Sequence, residues 1–167
     1  FEDVARFVSL LEAEIRRCGL QLHALGHGYL LEPYGIHYKT WADPYTLTDE
    51  ARRDVALVNG RRELYHGSPN FTQLCFSRPE VRAKLVNFLV GYAERKPYID
   101  FLHVWLSDAA GNQCECEECR KFHPSELYVR LLNELDEALT ARGIDMRIVF
   151  IMYTDTRWAP VIERFRH

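Results

Sequence analysis

The chain has 167 residues, enough for one ordinary domain with a hydrophobic core. Its formal net charge is -3, which gives no electrostatic reason to expect a nucleic acid or an acidic membrane surface as partner. No apolar run approaches the roughly 20 residues that a membrane-spanning helix needs. The sequence opens at Phe1 in a helical pattern and ends at His167. We therefore expect a single domain over residues 1–167 that belongs to a longer protein.

The first part of the chain predicts a helix, a short strand and a long loop. Apolar residues recur at helical spacing through residues 2–18, and residues 20–25 form an apolar run that predicts a strand ending at His27. Residues 29–70 are rich in aromatic residues, Pro and Gly, and show neither the apolar periodicity of a helix nor that of a strand. An Asn-Gly pair within them is a hairpin signal. Loops of this length in compact domains are usually functional.

The middle of the chain predicts a helix between two extended segments. Residues 71–76 read as a short extended segment, and Ser77 is the expected capping residue of a helix over residues 79–95. Residues 101–106 form the next apolar strand, and Asp108 follows at its end.

A second long helix and a third strand complete the pattern. Helical spacing predicts a helix over residues 125–142, and the apolar run at residues 147–152 predicts a strand with both faces covered. Strands that alternate with helices predict the α/β class with a parallel sheet. The carboxyl ends of parallel strands share one face, where α/β folds place active sites. We therefore expect His27, Asp108 and Asp155 to meet on that face.

Three closely spaced cysteines are the strongest chemical signal in the sequence. Cys114, Cys116 and Cys119 follow the second strand. Thiols this close together more often bind a metal ion than fill a core. A structural zinc ion needs four ligands; Cys75, near the end of the preceding extended segment, is the best fourth, and His123, four residues after Cys119, is the local alternative.

Two other states of these thiols remain open. A disulfide between Cys75 and one member of the cluster would suit a secreted or periplasmic protein, and free thiols are the third alternative. A redox-catalytic role is weaker, because it needs only two cysteines and a lowered pKa. The remaining cysteine, Cys18, lies near the end of the first helix and is predicted to be a small buried hydrophobic residue.

Several segments occur along the chain in a specific order: GHGYLLEPYGI, ALVNGRR, QLCFSRPEVRAKLVNFL, CECEEC and IMYTDTRWAP. Together they resemble the bacterial family named domain of unknown function 4838, over almost the whole chain. The resemblance implies a (β/α)₈ TIM barrel related to those of α-glucuronidases and β-hexosaminidases. The chain would then form a central part of the barrel, since a whole barrel takes about 250 residues. The implied partners are a carbohydrate and the remainder of that barrel.

A more distant similarity concerns the strand ends. Gly26-His27 and Asp108 occupy places similar to a Gly-His pair and an Asp-Glu pair in family-20 β-hexosaminidases, where the Glu is the general acid. Here Ala109 follows Asp108. The acid of that mechanism is absent from its usual position, so N-acetylhexosaminide chemistry does not carry over.

Carboxylates at the strand ends fit glycoside hydrolysis, which typically uses two carboxyl groups about 5 to 9.5 Å apart. Asp108 and Asp155 follow successive strands, and Glu32 in the long loop is a third candidate. His27 lies between two glycines, which allow a ligand close to the backbone. The structural alternatives are that Asp108 shapes a turn and that Asp155 caps the next helix.

The long loop also offers side chains that suit a sugar. His37, Tyr38 and Trp41 have rings that could stack on a sugar or simply anchor the loop. Arg61 could bind a substrate carboxylate through paired hydrogen bonds, and a solvated side chain is the alternative.

Two functional hypotheses follow. The first is a glycoside hydrolase-like enzyme that acts on a complex or acidic glycan through strand-end carboxylates. The second is a non-catalytic glycan-binding module or a structural zinc-binding module. Two carboxylates in an open cleft would favour the enzyme, and a groove without carboxylates would favour the binding module; the fold alone does not decide, because barrels host many chemistries.

Overall fold

The computed structural model describes residues 2–40 and 43–166. Within them, a three-stranded parallel sheet has the order β1-β2-β3. Its strands are β1 (His23–Gly26), β2 (Phe101–Val104) and β3 (Arg147–Val149). The predicted α/β arrangement with parallel strands is confirmed, and its place in a larger barrel stays a prediction.

The described residues contain four α-helices, and three of them were predicted from the periodicity. They are α1 (Glu2–Arg17), α2 (Asp49–Asp54), α3 (Pro79–Arg95) and α4 (Pro124–Thr140). Helix α2 lies in the stretch predicted to be irregular. It begins after Thr48, whose hydroxyl accepts a hydrogen bond from the backbone N–H of Ala51. A helix this short shows no hydrophobic period, so only its cap could have indicated it.

All three strands are shorter than predicted, because backbone groups beside them form hydrogen bonds with side chains instead of with a neighbouring strand. Before β1, the Leu22 N–H donates to the carboxylate of Asp100 at 2.7 Å. After β3, the Ile151 N–H donates to the hydroxyl of Tyr128 on α4 at 3.3 Å. An apolar run predicts burial but does not show which backbone groups pair with a neighbouring strand.

The core forms where α3 and α4 pack together over one face of the sheet. Alternate β2 residues, Leu102 and Val104, belong to this core, together with buried leucines of both helices. The buried leucines of α3 are Leu85 and Leu89, and those of α4 include Leu131, Leu135 and Leu139. The other face of β2, which carries Phe101 and His103, is only partly buried. The sheet therefore has one packed face and one accessible face.

Helix α1 is attached through a small contact. Ile15 packs against the core, and the Glu12 carboxylate accepts hydrogen bonds at 2.7 Å from Lys96 and from the hydroxyl of Tyr98. Much of its apolar surface, Phe7 included, is exposed. In the described part of the chain, no helix has the length and apolar character required to span a membrane.

Candidate functional site

Four cysteine thiols converge at one point of the structure. The Sγ atoms of Cys75, Cys114, Cys116 and Cys119 all lie within 4.8 Å of one another. Cys75 Sγ is 3.6 Å from Cys116 Sγ and 3.8 Å from Cys119 Sγ. Four sulfurs arranged tetrahedrally at about 2.3 Å from a metal ion stand about 3.8 Å apart. All the cysteines are free thiols, and this group, the cysteine cluster, has the spacing of a metal site.

Two separate parts of the chain supply these thiols. Cys75 lies in the segment before α3, where its backbone N–H donates to the Asp54 carbonyl at 2.8 Å. The other three lie in the loop between β2 and α4. His123 is the exposed N-cap residue of α4 and lies outside the cluster, so the fold selects Cys75 of the two predicted fourth ligands. Cys18 is exposed, and its predicted burial is wrong.

Polar groups surround the thiols. The Leu57 N–H donates to Cys114 Sγ at 3.3 Å, and the Arg62 guanidinium lies 4.0 Å from Cys75 Sγ while also donating to a backbone carbonyl. The Ser77 hydroxyl accepts from Cys119 Sγ at 3.1 Å. The Leu57 and Arg62 groups donate toward sulfur, and donors of this kind orient thiolate ligands and offset their negative charge.

The position of Ser77 corrects one prediction. Ser77 was expected to cap α3, but the N-cap residue is Arg78, which makes no side-chain capping bond. The Ser77 hydroxyl faces the cysteine cluster, where it lies 3.6 Å from Cys75 Sγ. Contacts with thiols distant in sequence displaced the local capping interaction.

The thiols influence one another's ionisation. Hydrogen bonds from Cys114 and Cys119 hold the pKa of the Cys75 thiol well below its usual range. Hydrogen bonds to Cys114 and Cys75 raise the pKa of the Cys119 thiol. The pKa of the Cys116 thiol is also lowered and that of the Cys114 thiol is raised, so two of the four thiols lose their protons readily and the negative charge opposes ionisation of the other two. A bound cation would remove this opposition and allow several thiolates to form together.

A tight turn supports the cluster from one side. Asn59 and Gly60 have φ angles of 50° and 75°, as the predicted Asn-Gly hairpin turn requires. Val58 and Arg61 exchange backbone hydrogen bonds of 2.9 and 3.0 Å across it. The turn fixes the chain that carries the Leu57 N–H. Arg61, predicted to bind substrate, has an exposed side chain on this turn.

The ends of β1 and β2 bring two predicted site residues together. His27 Nε2 lies 3.8 Å from Asp108 Oδ1. His27 Nδ1 lies 2.7 Å from the Leu106 carbonyl oxygen, which can only accept, so Nδ1 carries the proton. The hydroxyl of Tyr153, after β3, donates to Asp108 Oδ1 at 3.1 Å, and this contact raises the pKa of Tyr153. Groups that follow all three strands therefore meet, and we call them the strand-end site.

Asp155 has a structural contact and also borders a cleft. Its Oδ2 accepts the Gly111 N–H at 2.8 Å, which shapes the loop that carries Asp108. Asp155 lies in a short 3₁₀ turn, Thr154–Thr156, and not before the helix that was expected. It also lines a cleft of about 470 Å³ between the cysteine loop and the residues after β3, together with Trp158.

The candidate site residues of the long loop, residues 29–70, lie in different surroundings. Tyr38 and Glu32 line a groove with His27. His37 is exposed, and its Nδ1 is in hydrogen-bond contact with the Glu32 carboxylate. Trp41, also predicted to bind substrate, lies outside the described residues.

Some residues of these sites were missed by sequence reasoning. Arg62 contacts Cys75, 13 positions later, and Ser77 contacts Cys119, 42 positions later, so neither contact could be read from local sequence. Tyr153 follows the predicted third strand directly, and nothing in the pattern indicated that its hydroxyl contacts Asp108. Trp158 is 73% exposed in the cleft, and a lone aromatic residue after a strand carried no periodic signal.

Comparisons of the chain with protein-family models, with curated proteins and with solved structures found no match. The resemblance to the family named domain of unknown function 4838 therefore stays a prediction from the sequence segments.

Proposed function

We propose that the cysteine cluster is a structural zinc site and that the chain is a zinc-stabilised α/β module. The observation that carries this proposal is the convergence of four Sγ atoms within 4.8 Å of one another. Four sulfur ligands complete a tetrahedral shell and leave no open position for water, which is the pattern of structural rather than catalytic zinc. Thiolates favour zinc or iron over magnesium and calcium.

The role of the ion would be to hold the loop between β2 and α4 against the segment before α3. That loop carries Asp108 at one end and the cluster at the other, and most of its residues are partly or fully exposed. Apolar burial contributes little to ordering such a chain. A metal ion that joins Cys75 to Cys116 and Cys119, 41 and 44 positions later, would supply the stabilisation that apolar burial does not provide here.

Metal analysis tests this proposal. Protein purified under reducing conditions should contain about one zinc ion per chain, as a four-thiolate shell holds one metal ion. Cobalt-substituted protein should show the absorption of a tetrahedral thiolate site. A Cys18→Ser variant, altered at an exposed thiol outside the cluster, should bind zinc equally well. Protein without stoichiometric zinc or iron, with its thiols free or oxidised, would contradict the proposal.

We further propose that the strand-end site serves a carbohydrate, as part of a glycoside hydrolase-like barrel. The specific observation in favour is that Asp108, His27 and Tyr153 are in contact at the carboxyl ends of the strands. The adjoining cleft of about 470 Å³ has the size of a small-molecule site. It combines a second carboxylate, Asp155, with the exposed ring of Trp158, a combination suited to a sugar.

Turnover of nitrophenyl glycosides, including a glucuronide, tests the second proposal. Asp108→Asn and Asp155→Asn should each lower kcat by about 10²–10⁴-fold, the usual contribution of acid–base catalysis, while the fold is kept. Normal turnover in both variants would assign the two carboxylates to turn formation. Binding of glycosides without any turnover would favour the glycan-binding alternative.

A further inference from the structure

A buried glutamine near the strand-end site lacks hydrogen-bond partners. The Gln73 side chain is 1% exposed, and within the described part of the chain neither Nε2 nor Oε1 has a partner. Buried amide groups are nearly always paired, because an unpaired one keeps the full penalty of leaving water. An amide whose donor and acceptor atoms both lack a partner is therefore a candidate contact for a water molecule or a ligand.

The Gln73 side chain lines a small cavity at the carboxyl ends of all three strands. The other walls include His27 after β1, Ser107 after β2 and Tyr153 after β3. The Ser107 hydroxyl accepts a hydrogen bond from Asn112 at 2.7 Å, so its own proton remains available to donate. The cavity measures about 10 Å³, which is room for one water molecule. One small polar group therefore fits.

This cavity adjoins the larger cleft. Gln113 and Thr154 line both spaces, so a ligand in the cleft of about 470 Å³ lies next to the cavity that Gln73 lines. Cys114 and Cys119 of the cysteine cluster line the cleft, together with two arginines and two acidic residues. These are Arg120, Arg157, Glu115 and Asp155. Arg120 also lies 3.8 Å from the Glu115 carboxylate. Groups that donate hydrogen bonds and groups that accept them therefore both line the cleft, which suits a ligand that carries several hydroxyl groups.

We propose that Gln73 is a specificity-determining binding residue, whose amide donates to and accepts from one hydroxyl group of a neutral pyranose held in the cleft. The inference rests on the carbohydrate function proposed for the strand-end site. A hydroxyl both donates and accepts, which matches the two unpaired atoms of the amide. It is also small enough to take the place of a single water molecule, while the sugar ring lies in the cleft beside Trp158.

Titration of the protein with glucose, galactose and N-acetylglucosamine, followed by NMR, tests the inference. The wild type should bind at least one of these sugars, and Gln73→Leu should weaken that binding about tenfold or more, because both amide contacts are lost. Gln21→Leu, the same change at an exposed glutamine, should bind as the wild type does. Gln73→Met provides a second apolar variant of similar shape.

Thermal unfolding without sugar separates a binding role from a structural one. Gln73→Leu and Gln73→Met should melt at or above the wild-type temperature, since each removes two unpaired buried groups. A clear drop in melting temperature in both variants would mean that the amide has a structural partner, and would overturn the inference.

The remaining outcomes distinguish the two proposals. Sugar binding that is unchanged in Gln73→Leu would overturn the role of Gln73 and leave the carbohydrate function standing. Absence of binding of all three sugars to the wild type would overturn the neutral-sugar inference, and turnover of the nitrophenyl glucuronide would then decide the carbohydrate function separately.

Discussion

On the proposal that the cysteine cluster binds zinc, replacement of Cys75 by serine should remove most of the stability that the bound ion provides. Cys75 is fully buried, and it is the single member of the cysteine cluster outside the loop between β2 and α4. A cross-link that spans the 41 positions between Cys75 and Cys116 removes about 4 kcal/mol of unfolded-chain entropy. Mass action gives a similar figure, about 4 kcal/mol for free zinc at about 1,000 times its dissociation constant. A domain of this size is stable by only about 5–15 kcal/mol.

Urea unfolding measures this loss directly. The wild type in excess zinc should have a free energy of unfolding about 4 kcal/mol above that of Cys75→Ser. A chelator should lower the stability of the wild type and leave the variant unchanged. Cys18→Ser is the matched control, because Cys18 is an exposed thiol at the end of α1, and it should behave as the wild type does.

The reasoning would be refuted by a wild type that is indifferent to the chelator. It would equally be refuted by a Cys75→Ser variant that unfolds at the wild-type urea concentration in the presence of zinc. In either case the thiols would be buried side chains whose proximity stabilises nothing. Titration of reactive thiols in the folded protein would then show whether they are free or oxidised.

Three further predictions concern single contacts. Arg62→Met should weaken zinc binding about 10–100-fold, because the guanidinium that contacts Cys75 is lost. Competition with a chelator measures this affinity. Unchanged affinity would exclude a role for Arg62 in stabilising the bound ion. The buried Glu126 carboxylate accepts hydrogen bonds from the backbone N–H groups of residues 161–163. Glu126→Gln should therefore lower the free energy of unfolding by about 1–3 kcal/mol and speed hydrogen exchange of residues 161–163. Equal exchange in the wild type and the variant would contradict this prediction. The hydrogen bond from Lys96 lowers the pKa of Glu12, so this contact should stabilise the attachment of α1 above the ordinary pKa of 4.5 and be lost as pH falls below it. Hydrogen exchange of the α1 backbone measures this loss. Exchange that stays slow in acid, or that responds to acid equally in Glu12→Gln, would refute the prediction.

The sequence alone determined the three long helices and the class of the fold. Helix α3 begins and ends at the predicted residues, and α4 lies within two residues of its prediction, because apolar periodicity and an early proline are local signals. The alternation of strands with helices likewise predicted the parallel sheet. The lengths of the strands did not follow, since their ends depend on partners such as Asp100 and Tyr128, which are distant in the chain.

The candidate sites divide in the same way. The spacing of Cys114, Cys116 and Cys119 was visible in the sequence, because three thiols within one loop are necessarily close. The choice of Cys75 over His123 was decided by the tertiary structure, which carries a thiol 41 positions from Cys116 to within 3.6 Å of it. The unpaired amide of Gln73 had no sequence signal at all. Whether a buried polar group finds a partner depends on every segment that packs around it, and only the folded chain specifies those neighbours.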